Sequence, residues 1–138
     1  MQKIYSGKHL PIYAQIGLFD AEDPDAYPEW QTGDENVIIG AKGVAVATAP
    51  TTGQTYVDVE VYHGRNAAWS PMSAGEIQIG VQGILVGEAG CDYARIPWKA
   101  GKVLVCVYAD GLRDAITHVI FAIEDGDPEL GPPHADTP

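Results

Sequence analysis

Apolar and polar residues alternate one for one along Thr55-Tyr56-Val57-Asp58-Val59-Glu60-Val61-Tyr62-His63. Successive side chains of an extended chain point to opposite faces, so Val57, Val59 and Val61 share one face and Asp58 and Glu60 the other. That is a strand with one dry face. Glu76-Ile77-Gln78-Ile79-Gly80-Val81-Gln82 repeats the pattern, with Ile77, Ile79 and Val81 inward. The alternation breaks at Gly83 before Ile84-Leu85-Val86. A glycine at a phase break predicts a bulge or bend.

Two further runs, Lys102–Tyr108 and Thr117–Ile123, are apolar on both faces. Each reads as a central strand, and Val103–Tyr108 needs cover on its second side from a helix, a loop or another chain. Ile12–Phe19 has strand composition. Val37–Gly40 and Gly43–Ala47 are two short strands, or one strand bulged between the glycines. Turn chemistry separates these runs at Thr51–Gln54, His63–Asn66, Gly87–Gly90 and Ala109–Gly111. The Pro97-Trp98-Lys99-Ala100-Gly101 turn ends one strand and starts the next, with Trp98 capping the edge of the core. No segment offers a helix of ten or more residues. The expected fold is all-β, a single-domain antiparallel β-sandwich of roughly six to eight strands. With 138 residues, one domain is the natural count, and a chain of this length needs no disulfide or metal staples. The sandwich is placed at residues 1–123, and residues 124–138 form an acidic, Pro-rich C-terminal tail.

The charge narrows the function. Nineteen acids against eight Lys and Arg give a net charge of -11. A nucleic-acid backbone demands a basic footprint, and an anionic membrane surface demands the same, so neither is an expected partner. No run reaches the length of a transmembrane helix, and residues 1–8 lack the apolar stretch of a signal peptide, so the expected location is cytoplasmic. Cys91 and Cys106 are too few and wrongly spaced for a disulfide framework or a zinc finger. Cys106 reads as a buried small hydrophobe, and Cys91 as a loop thiol that nothing nearby activates. No cofactor and no metal are expected.

The acids are not evenly spread. Residues 20–35 hold seven of the 19 with no Lys or Arg, and the tail from Glu124 holds five more. Within 20–35, Tyr27 and Trp30 add aromatic surface, and Pro24 and Pro28 keep the backbone irregular. Carboxylates steer a basic partner and an aromatic ring anchors it, so Asp20, Glu22, Asp23, Asp25, Glu29 and Trp30 are the candidate partner-binding residues. The plainer alternative is a solvated connection with Trp30 packed on the sandwich. As a calcium loop the segment is poor, because Asp25 stands where an EF-hand needs glycine. The four histidines form no cluster in sequence, and no His-x-His pair, Gly-x-Ser-x-Gly elbow or phosphate loop is present. An enzymatic activity gets no positive support.

The elements Val57–Val61, Gly75–Ile79, Gly83–Val86 and Ile96–Tyr108 follow one another in an order that resembles the small bacterial β-proteins related to competence protein J. Those proteins carry a proline-containing turn, a hydrophobic strand and a charged loop. The likeness spans residues 12–123 in element order, and its motif-like part is 96–108. The longer turn through Trp98-Lys99-Ala100-Gly101 departs from the family's shorter one. The resemblance implies an inhibitor in which an acidic protein blocks a basic, DNA-binding nuclease, and it carries over no individual functional residue. A chain at -11 can also imitate the charge of nucleic acid on physical grounds alone.

The leading expectation is therefore a non-enzymatic, protein-binding β-sandwich that inhibits a nuclease or toxin through a basic protein partner. Two alternatives stay open. One is a structural or assembly subunit of a virion or secretion apparatus, a homo-oligomer joined through the two-sided Val103–Tyr108 strand. The other is a small-ligand or carbohydrate module in which Tyr56, Tyr62 and Tyr93 line a groove with Trp69 or Trp98. A metal-dependent enzyme would need His63 and His118 to converge.

Overall fold

In a computed structural model, residues 2–11, 14–23, 35–48, 56–64, 68–88, 93–112 and 115–125 are described. Among the described residues ten strands run in chain order as β1 (Gln2–His9), β2 (Gln15–Asp20), β3 (Val37–Ile39), β4 (Gly43–Ala47), β5 (Val57–His63), β6 (Ser73–Ile79), β7 (Ile84–Gly87), β8 (Tyr93–Ile96), β9 (Gly101–Ala109) and β10 (His118–Asp125). They form two five-stranded sheets, ordered β1-β5-β10-β9-β6 and β3-β4-β2-β7-β8. The all-β sandwich expected from the periodicity is the fold observed.

Alternation decides what lies between the sheets. Val57, Val59 and Val61 of β5 are buried, while Asp58 on the same strand is exposed. In register beside them, Val59 faces Val119 and Val61 faces Phe121 across β10, and Phe121 faces Val107 across β9. The second sheet answers with Ile16, Leu18, Val44, Val46, Ile84 and Val86, all fully buried. These residues belong to one continuous core, and Trp98 packs against its margin as the turn reading expected. Near one edge of the sandwich, Gly75 of β6 makes room for Ile39 of the opposite sheet, whose side chain lies 2.8 Å from where a β-carbon would stand.

Ten strands exceed the six to eight expected. The two that periodicity misses, β1 and β8, are both edge strands. An edge strand touches the core along little of its length, so it needs few apolar residues, and β1 instead carries exposed Lys3 and Lys8, which discourage pairing with another chain. The sheets are also not purely antiparallel. β5 and β10 pair in parallel, and among the described residues every other pairing is antiparallel. Side-chain alternation is the same in both kinds of ladder, so the pattern carries no signal for it.

Residues 37–47 form a hairpin, closed by the Gly40 N–H donating to the Gly43 carbonyl at 2.8 Å. The break at Gly83 is a tight turn that carries the chain from the first sheet to the second, with φ +85° at Gly83. Val81 is consequently not an inward residue of β6; it sits at the turn tip, 79 % exposed. The second face of β9 is covered from within the chain. Cys106, Tyr108 and Ala122 cluster there with Tyr62, Leu104 and Ile120, and Trp69 from the β5–β6 connection packs edge-on against Tyr108 at 5.4 Å. Among the described residues no helix is long and apolar enough to cross a membrane.

Candidate functional site

Of the six residues proposed for the acidic rim, Asp20, Glu22 and Asp23 meet at one corner, and Asp25, Glu29 and Trp30 lie outside the described residues. The corner is built where three chain segments cross. The Asp20 N–H donates to the Lys42 carbonyl, and the Ala21 N–H to the Gly83 carbonyl, each at 2.9 Å. The Asp20 side chain then turns inward. Its Oδ1 accepts from the Glu22 N–H at 3.1 Å and from the Gly80 N–H at 3.2 Å.

Asp20 is thus only 3 % exposed, which corrects its expected place on the rim. Two backbone N–H groups at a strand end need an acceptor, and this carboxylate supplies it. It braces the corner, whereas Glu22 and Asp23 form its surface. Glu22 is exposed and lies over Gly80. Asp23 stands 3.5 Å from the Lys42 ammonium, an exposed pair worth little in water.

A second polar surface covers the outer face of the β1-β5-β10-β9-β6 sheet. Cross-strand register puts Lys8 beside Asp58, and His118 beside Asp58 from the other side. Glu60 gathers three neighbours: Lys3 Nζ at 2.7 Å, His118 Nε2 at 3.0 Å and the Tyr62 hydroxyl at 3.3 Å. The hydrogen bond from Lys3 holds the Glu60 carboxyl below the usual glutamate range, against a burial that raises it, and His118 adds to the lowering. Glu60 in turn raises the Lys3 ammonium, through the hydrogen bond first and its charge second.

The folded Glu60 therefore releases its proton more readily than the unfolded one. Its contribution to stability is complete above the ordinary glutamate value and is lost as pH falls through the lowered one. The Lys3 contribution is present below the ordinary lysine value and is lost as pH rises through the raised one. Urea midpoints measured from pH 7 to pH 3 should show the wild type's advantage over Glu60→Gln shrinking across the carboxylate range. A constant difference over that range would remove the ion pair from the account.

Next to this network, an open groove of about 220 Å³ is lined by Trp69, Tyr108, Ala109, Asp110, His118 and Ile120. Asp110 accepts from the Thr117 N–H at 2.9 Å, from the His118 N–H at 3.0 Å and from the Thr117 hydroxyl. Burial pushes its carboxyl up, but these bonds outweigh burial and hold it below the usual aspartate range. The sequence pattern marks Asp110-Gly111 only as a turn. The signal that points here is the second apolar face of β9, which requires a cover.

Tyr62 lies on the first sheet and Tyr93 on the second. His63 pairs with Ile123 and packs against Trp98 at the core margin, while His118 pairs with Asp58 at the opposite end of β10. The two histidines do not converge. Among the described residues no group of three or more His, Cys, Asp or Glu side chains could hold a metal ion.

No family model and no curated protein sequence matches the chain. Among solved structures, the fold is similar to the crystal structure of ComJ from Bacillus subtilis, an inhibitor of the DNA-degrading activity of NucA. The TM-score is 0.64 over 90 % of this chain and 97 % of that one, at 8 % sequence identity. At that identity the likeness is one of fold, and function has to be argued from the surface. The resemblance read from residues 57–108 stands at this same level.

Proposed function

We propose that this chain is a non-enzymatic, cytoplasmic inhibitor that binds a basic DNA-degrading nuclease. The observation that carries the reading is the near end-to-end likeness of its fold to a nuclease inhibitor. The charge of -11 supports it independently. A nuclease cleft is shaped to attract phosphate, and an acidic surface that docks there competes with DNA for the same cations. Glu22, Asp23, Asp25 and Glu29 supply the charge in this reading and Trp30 the aromatic anchor, while Asp20 braces the Glu22 and Gly80 backbone. Opposite charges speed the encounter, and salt slows it.

The test is a DNA-degradation assay with a nuclease of the NucA type and the purified chain. Suppression at stoichiometric ratio is expected, and undiminished degradation would overturn the reading. Replacing Asp23 and Asp25 together by lysine should cut the association rate about tenfold and flatten its salt dependence. An unchanged rate and an unchanged salt slope would take these two acids out of the interface.

A further inference from the structure

We propose that the groove beside Asp110 receives one arginine side chain of the protein partner, with the guanidinium held between the aromatic wall and the Asp110 carboxylate. The inference rests on the partner-binding role above and specifies how the partner is recognised.

Size comes first. At about 220 Å³ the groove falls below the roughly 300–1,000 Å³ of sites that enclose a drug-sized ligand, and it suits a single side chain. Chemistry comes second. Trp69, 37 % exposed, and Tyr108 make an aromatic wall with their rings 5.4 Å apart. Such a wall attracts a cation through the ring quadrupole, and tryptophan does so best.

Charge comes third. Asp58 and Glu60, on the same face, are paired with Lys8 and Lys3. Among the described residues the Asp110 carboxylate is held by hydrogen bonds, chiefly from Thr117 and His118, and no cation pairs with it. Those bonds fix the carboxylate and keep it ionised without neutralising it. His118 directs its Nε2 to Glu60, so it forms a wall of the groove without pairing to Asp110. A guanidinium fits this set better than an ammonium. It is planar, stacks on aromatic rings, is less strongly hydrated and donates in a fork that a carboxylate accepts.

The experiment is an NMR titration of the full chain, labelled at the tryptophan indoles, with a blocked Gly-Arg-Gly peptide and its citrulline counterpart. Trp69→Phe identifies the Trp69 signal. The arginine peptide should produce a saturable shift of that signal at roughly millimolar concentration, and the citrulline peptide should not. Asp110→Asn keeps a carbonyl for the Thr117 and His118 N–H groups, and its spectrum reports whether it is folded. It should abolish the arginine shift and weaken nuclease binding about tenfold.

Equal shifts with both peptides would place a neutral ligand in the groove and overturn the proposal. A Trp69 signal that moves with protein concentration alone would place a second copy there and overturn it equally. Absence of any shift would overturn it too. The two readings separate cleanly. An arginine-specific shift in a chain that leaves the nuclease unaffected would sink the inhibitor reading and leave the groove standing. Intact inhibition by Asp110→Asn, with no peptide shift in the wild-type chain, would do the reverse.

Discussion

Phe121→Ala is expected to lower the free energy of unfolding by about 3–5 kcal/mol, read from urea denaturation at constant m-value. Phe121 is fully buried on β10, in register with Val61 on one side and Val107 on the other. Both neighbours are held in their own ladders, so the strands cannot close over the space a phenyl ring leaves. The cost is then the lost transfer energy plus the cavity. A domain is stable by roughly 5–15 kcal/mol in total, so this one truncation would bring the sandwich near its limit. A loss below about 0.5 kcal/mol, typical of a surface site, would contradict the position of Phe121 between the sheets.

Gly83→Ala should cost on the order of 2–5 kcal/mol, from two sources that add. At φ +85° an L side chain meets its own backbone, a penalty of about 1–2 kcal/mol. The new β-carbon would also stand 2.5 Å from the Ile96 carbonyl oxygen and 3.1 Å from the Trp98 nitrogen. Those are backbone atoms, so relief requires the end of β8 to move, and displacements of that kind cost about 1–3 kcal/mol. The same residue accepts the Ala21 N–H, so the acidic corner should loosen together with the fold. Thermal unfolding together with hydrogen exchange at Ala21 and Glu22 checks both consequences. Wild-type stability with unchanged exchange would mean that the turn tolerates an ordinary residue.

These two sites mark how unevenly the fold can be read from residues alone. Phe121 sits in a run whose apolar character is plain from residues 117–123, and the strand observed there runs on from His118 to Asp125, two residues into the segment read as tail. Gly83 announces a break but not its meaning. The alternation of Ile77, Ile79 and Val81 continues smoothly into the turn, so the pattern places Val81 inside. Only the crossing to the second sheet turns it outward. The edge strands β1 and β8 are invisible for a related reason. Periodicity detects a buried face, and an edge strand of Lys, Ser and Tyr presents little of one.

The candidate surface divides in the same way. Composition locates an acid-rich stretch at residues 20–35, and three of its acids meet at one corner. It does not distinguish Asp20 from its neighbours. Asp20 and Asp23 are chemically identical; one braces two backbone N–H groups in the interior, and the other stands near a lysine at the surface. Asp110 carries no signal of its own, since its meaning depends on Trp69 and His118, which lie 41 and 8 residues away in the chain.

Two properties are written into the residues without reference to their neighbours in space: this chain forms a sandwich of strands, and it carries a strongly negative charge. Both follow from local facts, the period of two and the count of acids, which need no knowledge of what lies beside what. Three others exist only once the sheets are assembled. They are which acids are buried and which exposed, the parallel run of β5 beside β10, and the meeting of an aromatic wall with a carboxylate at one groove. Those are relations between residues distant in the chain, and cross-strand register, not sequence spacing, brings them together.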